Sequence, residues 1–180
     1  VIADNTWAAG YYFKALAKGA DIALQAGTKY VVGHSDTMLG LIVSKDDATH
    51  AKVRDHAQTL GLCAGPDDVY LALRGFRTMG VRLKAHYDNG VRIAKWLADR
   101  PDIARVMHPA LEQDRGHELW KRDFTGASGL FGFVLKNESR EGLAAMMDSM
   151  KYFGMGFSWG GFESLLIPTW PERARTASRW

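Results

Sequence analysis

The sequence holds a single cysteine, Cys63, among 180 residues. No disulfide can form within the chain, and a reducing, cytoplasmic setting fits. Cys63 lies in the run Gly-Leu-Cys-Ala-Gly with no His, Lys or Arg beside it to lower its pKa, and is read as an inert buried thiol. Charge of one sign is scarce as well: 23 Lys and Arg stand against 20 Asp and Glu, a formal net charge of +3. That excess lacks the concentrated basic face of a nucleic-acid binder. The nearest approach to one, Arg74, Arg77, Arg82 and Lys84, is read as a solvated helix face. No apolar run approaches the roughly 20 residues needed to span a bilayer, and no secretory leader is visible. The histidines, His34, His50, His56, His86, His108 and His117, show no metal-ligand spacing with Cys or carboxylates, so no metal is expected. His50 and His56 are read as surface residues. An initiator Met is missing too. The chain starts inside the apolar run Val1-Ile2-Ala3 and stops at Arg179-Trp180, so it is read as a fragment of a longer protein.

What is present is enough to fill a core: 47% of residues are hydrophobic and 24% charged. Residues 1–3 read as a buried strand ending at Asp4, residues 10–18 as a helix stopped by Gly19, and residues 21–25 as a second buried strand. A strand, a helix and a strand predict a βαβ unit and a parallel sheet. Residues 37–44 form another β-rich run. Residues 46–60 then read as a helix capped by Asp46 or Asp47. Residues 67–99 are helical, with Leu83, Tyr87, Val91, Ala94 and Leu97 on one face. Gly75, Gly80 and Gly90 predict bends or separate helices there, and Pro101 a stop. Strands are expected over 103–107 and 130–135, helices over 117–122 and 141–152. A glycine-rich aromatic segment follows at 154–161. The order predicts an α/β or α+β chain in two units, 1–75 and 76–180.

In open α/β sheets, ligands sit beyond the carboxyl ends of strands. Asp4 ends the first predicted strand; Thr28-Lys29-Tyr30 and Gly33-His34-Ser35-Asp36 follow the second. Each alone has a plain structural reading, a helix cap for Asp4 and a surface turn for Lys29. Together they could face one crevice. A partly desolvated lysine can form a Schiff base. Thr28 and backbone N–H groups of a glycine-containing turn could hold a phosphate. Pyridoxal phosphate requires a lysine for its aldehyde and an acid for its pyridine nitrogen. His34 is read as shaping the turn after the lysine. Other signals fall short. Gly154-Met-Gly156-Phe-Ser-Trp159 lacks the third glycine of a dinucleotide fingerprint, and Ser35-Asp36 lacks the strand–turn–helix elbow of a serine hydrolase.

The run Asp21-Ile-Ala-Leu-Gln-Ala-Gly-Thr-Lys29-Tyr-Val-Val-Gly-His-Ser35 resembles the cofactor-lysine signature of the Cys/Met-metabolism enzymes that use pyridoxal 5'-phosphate (PLP). The spacing from Asp4 to Lys29 is similar to that family's aspartate-to-lysine spacing. Within the family, four runs look most like the bacterial β-lyases of cystathionine. They are Asp4-Asn-Thr-Trp-Ala-Ala-Gly10, Gly33-His-Ser-Asp-Thr-Met-Leu-Gly40, Lys121-Arg-Asp-Phe-Thr-Gly126 and Phe157-Ser-Trp-Gly-Gly-Phe-Glu-Ser164. The resemblance covers nearly the whole chain. It implies a PLP-dependent aminotransferase-like (type I) fold, with 1–75 the end of the cofactor domain and 76–180 most of a smaller domain. It implies that Lys29 holds the cofactor and acts catalytically, that Asp4 pairs with the pyridinium nitrogen, and that Thr28 contacts the phosphate. Ser158 would sit near the lysine and the substrate carboxylate, with Trp159 shaping that pocket. The implied reaction is β-elimination on cystathionine, yielding homocysteine, pyruvate and ammonia for methionine synthesis. The alternatives are γ-elimination or γ-replacement by a related enzyme, cysteine desulfhydration, or a truncated remnant without turnover. A homotetramer with shared sites and a small sulfur amino acid as substrate are implied as partners. Three departures stand out. Ala26 occupies the place of a serine many members use for the phosphate. The family's carboxylate-binding arginine segment has no match before Trp180. Residues lent by a neighbouring subunit, and the tyrosine that stacks on the cofactor, would precede Val1.

Overall fold

The computed structural model describes residues 1–136 and 139–170. Residues 1–136 with 160–162 form one compact unit, and the rest of the described chain a second. The first unit opens with strands β1 (Ile2–Asp4), β2 (Ile22–Ala26) and β3 (Gly40–Ser44) in the order β1-β2-β3. The β1–β2 pair is parallel, as expected, with Asp4 opposite Leu24. The sheet as a whole is mixed, because β3 returns antiparallel to β2. No crossover helix separates those two strands, so the chain can only double back.

The helix expected over 10–18 reduces to a 3₁₀ turn at Leu16–Lys18. Ala9 and Gly10 adopt left-handed φ angles of 55° and 61°, which no α-helix accommodates. A Cβ on Gly10 would lie 2.7 Å from Gln25 Nε2, so the connection turns tightly along β2. Beneath it, Ala15, Ala20 and Ala23 form a small buried cluster with Ala3, Phe13 and Leu16. β1 is less buried than its sequence predicts: it lies at the sheet edge, and Ile2 is 64% exposed.

Helix α1 (Asp47–Thr59) is capped by Asp46, which accepts the Thr49 N–H at 2.7 Å. Cys63 lies in the exposed segment between the helices and is itself exposed, against the expectation of a buried thiol. Helix α2 (Pro66–Ala98) starts with proline in its first turn and Asp67 and Asp68 beside the positive end of its dipole. It is one continuous helix of 33 residues, not the broken series its glycines predict, and the expected unit boundary near Gly75 falls inside it. Those glycines mark places where another part of the chain comes close. A Cβ on Gly75 would lie 2.1 Å from the Val32 carbonyl oxygen, and one on Gly90 3.1 Å from Gly129 Cα. Leu83 and Ala94, on the predicted apolar face, are fully buried.

Strands β4 (Ile103–Met107) and β5 (Gly132–Leu135) pair antiparallel, with the short helix α3 (His117–Asp123) between them. Ala94, Ile103, Val106 and Leu111 pack there with Phe131, Phe133 and Leu135. In the second unit, α4 (Arg140–Asp148) is capped by the Ser139 hydroxyl and ends short of the predicted residue 152. Gly154 and Leu165 form a parallel bridge. Among the described residues no helix is long and apolar enough to cross a membrane.

The close approach of α2 to the turn after β2 should be sensitive to one methyl group. Gly75→Ala is expected to destabilise the protein by about 1–3 kcal/mol in urea denaturation, the usual cost of overpacking. Gly40→Ala, where nothing lies within 4 Å of the added carbon, should change stability by no more than ~0.5 kcal/mol. Equal effects would show that the helix has room to withdraw.

Candidate active site

Asp4 is positioned by the residues that follow it. The Thr6 N–H and hydroxyl donate to Asp4 Oδ1 at 2.9 and 2.6 Å. The same hydroxyl oxygen accepts the Ala26 N–H at 2.8 Å. Thr6 is buried, and it links the carboxylate of the exposed Asp4 at the end of β1 to the end of β2. Asn5 reinforces the link, donating its N–H to Leu24 O at 2.8 Å and its side-chain amide to Phe13 O at 2.9 Å. The Asp4 carboxyl is held below the usual carboxylate range, first by the Thr6 hydroxyl, then by the Thr6 N–H, with the charge of Lys29 adding to both and burial opposing. Asp4 and Lys29 therefore share one electrostatic neighbourhood. Among the described residues, Asp4 Oδ2 carries no hydrogen bond, so the carboxylate keeps an oxygen for a further donor.

Lys29 sits in the turn that follows β2, half-buried. Its N–H bonds to Ala26 O at 3.0 Å, and its carbonyl accepts the Gly33 N–H at 2.8 Å. Tyr30, immediately after it, is 2% exposed and plugs the turn into the core. Burial pushes the Tyr30 phenol up, while contacts with Ser128, Gly129 and Leu130 oppose the rise. The Tyr30 ring meets His86 edge-on at 5.2 Å. Gly160 approaches so closely that a Cβ there would lie 2.9 Å from the Lys29 carbonyl carbon. Its φ of 85° is one that glycine adopts without cost.

Arg82, read from sequence as part of a solvated face, is half-buried against this turn. Its Nη1 donates to Tyr30 O at 2.9 Å, and its Nη2 to Val31 O at 3.3 Å and Gly75 O at 2.7 Å. Its Nε donates to the Thr78 hydroxyl at 3.1 Å. The His34 ring does shape the turn as expected, its Nδ1 lying 2.7 Å from Val32 O.

The remaining expected site residues divide. Thr28 adjoins Lys29; its hydroxyl oxygen accepts the Leu39 N–H at 2.8 Å, and its own O–H donates to Leu39 O over a long 3.4 Å between the oxygens. That proton can turn toward an anion. Ser158 lies in the second unit, exposed, with φ 81°, a left-handed conformation that costs a residue with a Cβ roughly 1–3 kcal/mol. Trp159, also in the second unit, is half-buried. Trp7 donates its indole N–H to Leu130 O at 2.8 Å and meets Phe124 edge-on at 5.9 Å, so one face of its neighbourhood is fixed by residues 124–130. No group of three or more His, Cys, Asp or Glu able to hold a metal occurs among the described residues.

Thr6, Arg82 and Gly160 are the residues the sequence reading missed. Thr6 had a signal: an aspartate side chain readily accepts the N–H two residues on, as Asp4 does from Thr6. Arg82 had a fainter one, lying two helical turns beyond Gly75 on one face of α2. An ionised carboxylate with an open oxygen, close in charge to an amine on the neighbouring strand end, suits a protonated pyridine ring bearing an aldehyde. The residues present thus fit PLP.

The model of the Cys/Met metabolism PLP-dependent enzyme family matches residues 1–178. A cystathionine β-lyase of Escherichia coli K12 is 49% identical over 173 residues, which cover 96% of this chain and 44% of that protein. An L-alanine/L-glutamate racemase of Wolbachia pipientis is 43% identical over 168 residues, 93% of this chain and 41% of the relative. Among solved structures, a cystathionine γ-synthase of Xanthomonas oryzae in complex with cystathionine superposes with a TM-score of 0.88 at 36% identity, over 91% of this chain and 42% of that one. The chain thus spans less than half the length of these relatives.

Thr6→Val tests the Asp4 arrangement. It should raise the Asp4 pKa, read by NMR titration, and cost about 1–3 kcal/mol by leaving the Ala26 N–H without its acceptor. Because the folded pKa of Asp4 lies below its ordinary 3.8, its stabilising share is complete above that value and is lost as pH falls through the lower, folded one. The variant should therefore lose less stability on acidification than the wild type does. An unchanged Asp4 titration would show that the hydroxyl does not set the charge.

Proposed function

The chain belongs to the Cys/Met metabolism PLP-dependent enzyme family, and from that footing we propose that the protein cleaves the β carbon–sulfur bond of L-cystathionine with uptake of water, releasing homocysteine, pyruvate and ammonia. The observation that carries the proposal is the pairing of an ionised Asp4 with Lys29 at neighbouring parallel strand ends. Residues 1–75 would complete a cofactor domain and 76–180 contribute to a smaller one.

Bound PLP supplies an electron sink for the pair left behind when the substrate's α proton is removed. Asp4, kept ionised by Thr6, would accept a hydrogen bond from the pyridine nitrogen and hold it protonated. Lys29 would anchor the aldehyde, then take the α proton and return a proton to the departing sulfur. Thr28 and neighbouring turn N–H groups would bind the phosphate. Ser158 and Trp159 would face the substrate carboxylate. The similarity to cystathionine β-lyases at 49% identity supports β-elimination. The relatives named for γ-synthase and racemase activities define the competing outcomes. A homotetramer acting in methionine synthesis accords with this reading.

The test uses the full-length protein. Wild type loaded with PLP should give a borohydride-stable adduct at Lys29, and Lys29→Ala none. Turnover of cystathionine should release pyruvate, and Lys29→Ala should lower the rate at least about a thousandfold, the scale of a lost acid–base group. Release of 2-oxobutyrate would move the assignment to γ-elimination; inversion of alanine or glutamate without pyruvate would move it to racemisation. An equal adduct in Lys29→Ala would overturn the anchor itself.

A further inference from the structure

We infer that Arg82 is the positioning residue for Lys29, acting through the peptide groups that follow the lysine; the inference rests on Lys29 as the cofactor anchor. The turn is buried immediately after Lys29, at Tyr30, Val31, Val32 and Gly33. Buried backbone carbonyls need donors. Within the turn, the Gly27 carbonyl is met by the Val32 N–H and the Lys29 carbonyl by the Gly33 N–H. The Tyr30 and Val31 carbonyls are met by Arg82.

The fit is a fork rather than a charge contact. The planar guanidinium has five N–H donors in fixed directions. They reach Tyr30 O and Val31 O on one side, and Gly75 O and the Thr78 hydroxyl on α2 itself. Two glycines clear its way. A Cβ on Gly33 would lie 1.9 Å from Arg82 Nη1, and one on Gly75 would strike the Val31 and Val32 carbonyls. Among the described ion pairs none involves Arg82, although burial opposes its charge. The partly desolvated cation is committed to carbonyl groups. The successive peptide planes after Lys29 are thereby tied to a 33-residue helix, which holds the lysine's Cα in place.

The experiment compares wild type, Arg82→Lys and Thr78→Val in the full-length protein. Arg82→Lys keeps the charge and loses the fork; Thr78→Val removes the acceptor that aligns Nε, together with the hydroxyl's own bond to Gly75 O, and leaves the guanidinium and its bonds to the turn. Two quantities are read: hydrogen–deuterium exchange of the 27–34 amides in protein stripped of cofactor, and the rate of borohydride-trapped PLP capture at Lys29. Arg82→Lys should raise local exchange roughly tenfold and slow capture by a similar factor, the loss of about one charge-assisted hydrogen bond. Exchange in β4 and β5 should stay as in wild type, and Thr78→Val should move both readings less in the same direction. Unchanged exchange at 27–34, or an equal rise through α2 and the β4–β5 pair, would overturn the inference and leave Arg82 a general tie. Should Arg82→Lys fail to fold, Thr78→Val decides: a local rise supports the inference, and none overturns it. A wild type that traps no PLP at Lys29 defeats the anchor reading by itself, and with it the positioning role, whatever the exchange shows.

Discussion

Backbone carbonyls buried in a turn must find donors, and in the turn that carries Lys29 those of Tyr30 and Val31 look outward to Arg82. Leaving a buried carbonyl unmet costs about 1–3 kcal/mol, so the turn and the guanidinium are held together by more than a surface contact could supply. Much of the first unit follows from that requirement. The guanidinium can reach the turn only if α2 lies against it, and α2 can lie there only with glycine at position 75. Once the helix is so placed, His86 meets the Tyr30 ring edge-on, Leu83 is fully buried, and the far end of the helix meets β4 around Ala94.

A second constraint acts at the other strand end. A carboxylate near a positive charge ionises readily, but its direction has to be set by hydrogen bonds. The Thr6 hydroxyl sets it by donating a hydrogen bond to Asp4 Oδ1 and accepting one from the Ala26 N–H. The acid at the end of β1 is thus registered to the strand that leads into Lys29. Parallel pairing brings the two strand ends to the same side, and Thr6 turns that nearness into a defined spacing. The two arrangements differ in kind: one fixes a side chain, the other a stretch of main chain.

The parts of this design that are local were legible in the sequence. The strand before Lys29, the Asp46 cap of α1, the apolar face of α2 and strand β4 all follow from short-range patterns. The nearness of Asp4 to the charge of Lys29 was legible because strand ends in a parallel pair are neighbours. What escaped depended on partners distant in sequence. Arg82 lies 52 residues from Tyr30, and in a helical stretch with three other cations nothing local separates it from a solvated arginine. Gly75 was misread for the same reason: a glycine in a helix signals a weak point unless one knows what touches it. Cys63 looked buried because its neighbours are uncharged and apolar, yet it lies exposed between α1 and α2.

The proposed chemistry explains why a stiff turn should carry this particular residue. A group that takes a proton at one atom and returns it at another must move, but its reach must stay constant from one turnover to the next. A lysine satisfies both demands only when its backbone is immobile and its four-carbon stem can swing. A fixed side chain on a mobile loop would reverse the arrangement and lose the alignment with Asp4. Lys29 is half-buried on a main chain bonded at both its N–H and its carbonyl, covered by Gly160 and followed by a fully packed tyrosine. The rigidity thus lies in the peptide groups around the lysine, where the proposed reaction would need a fixed anchor.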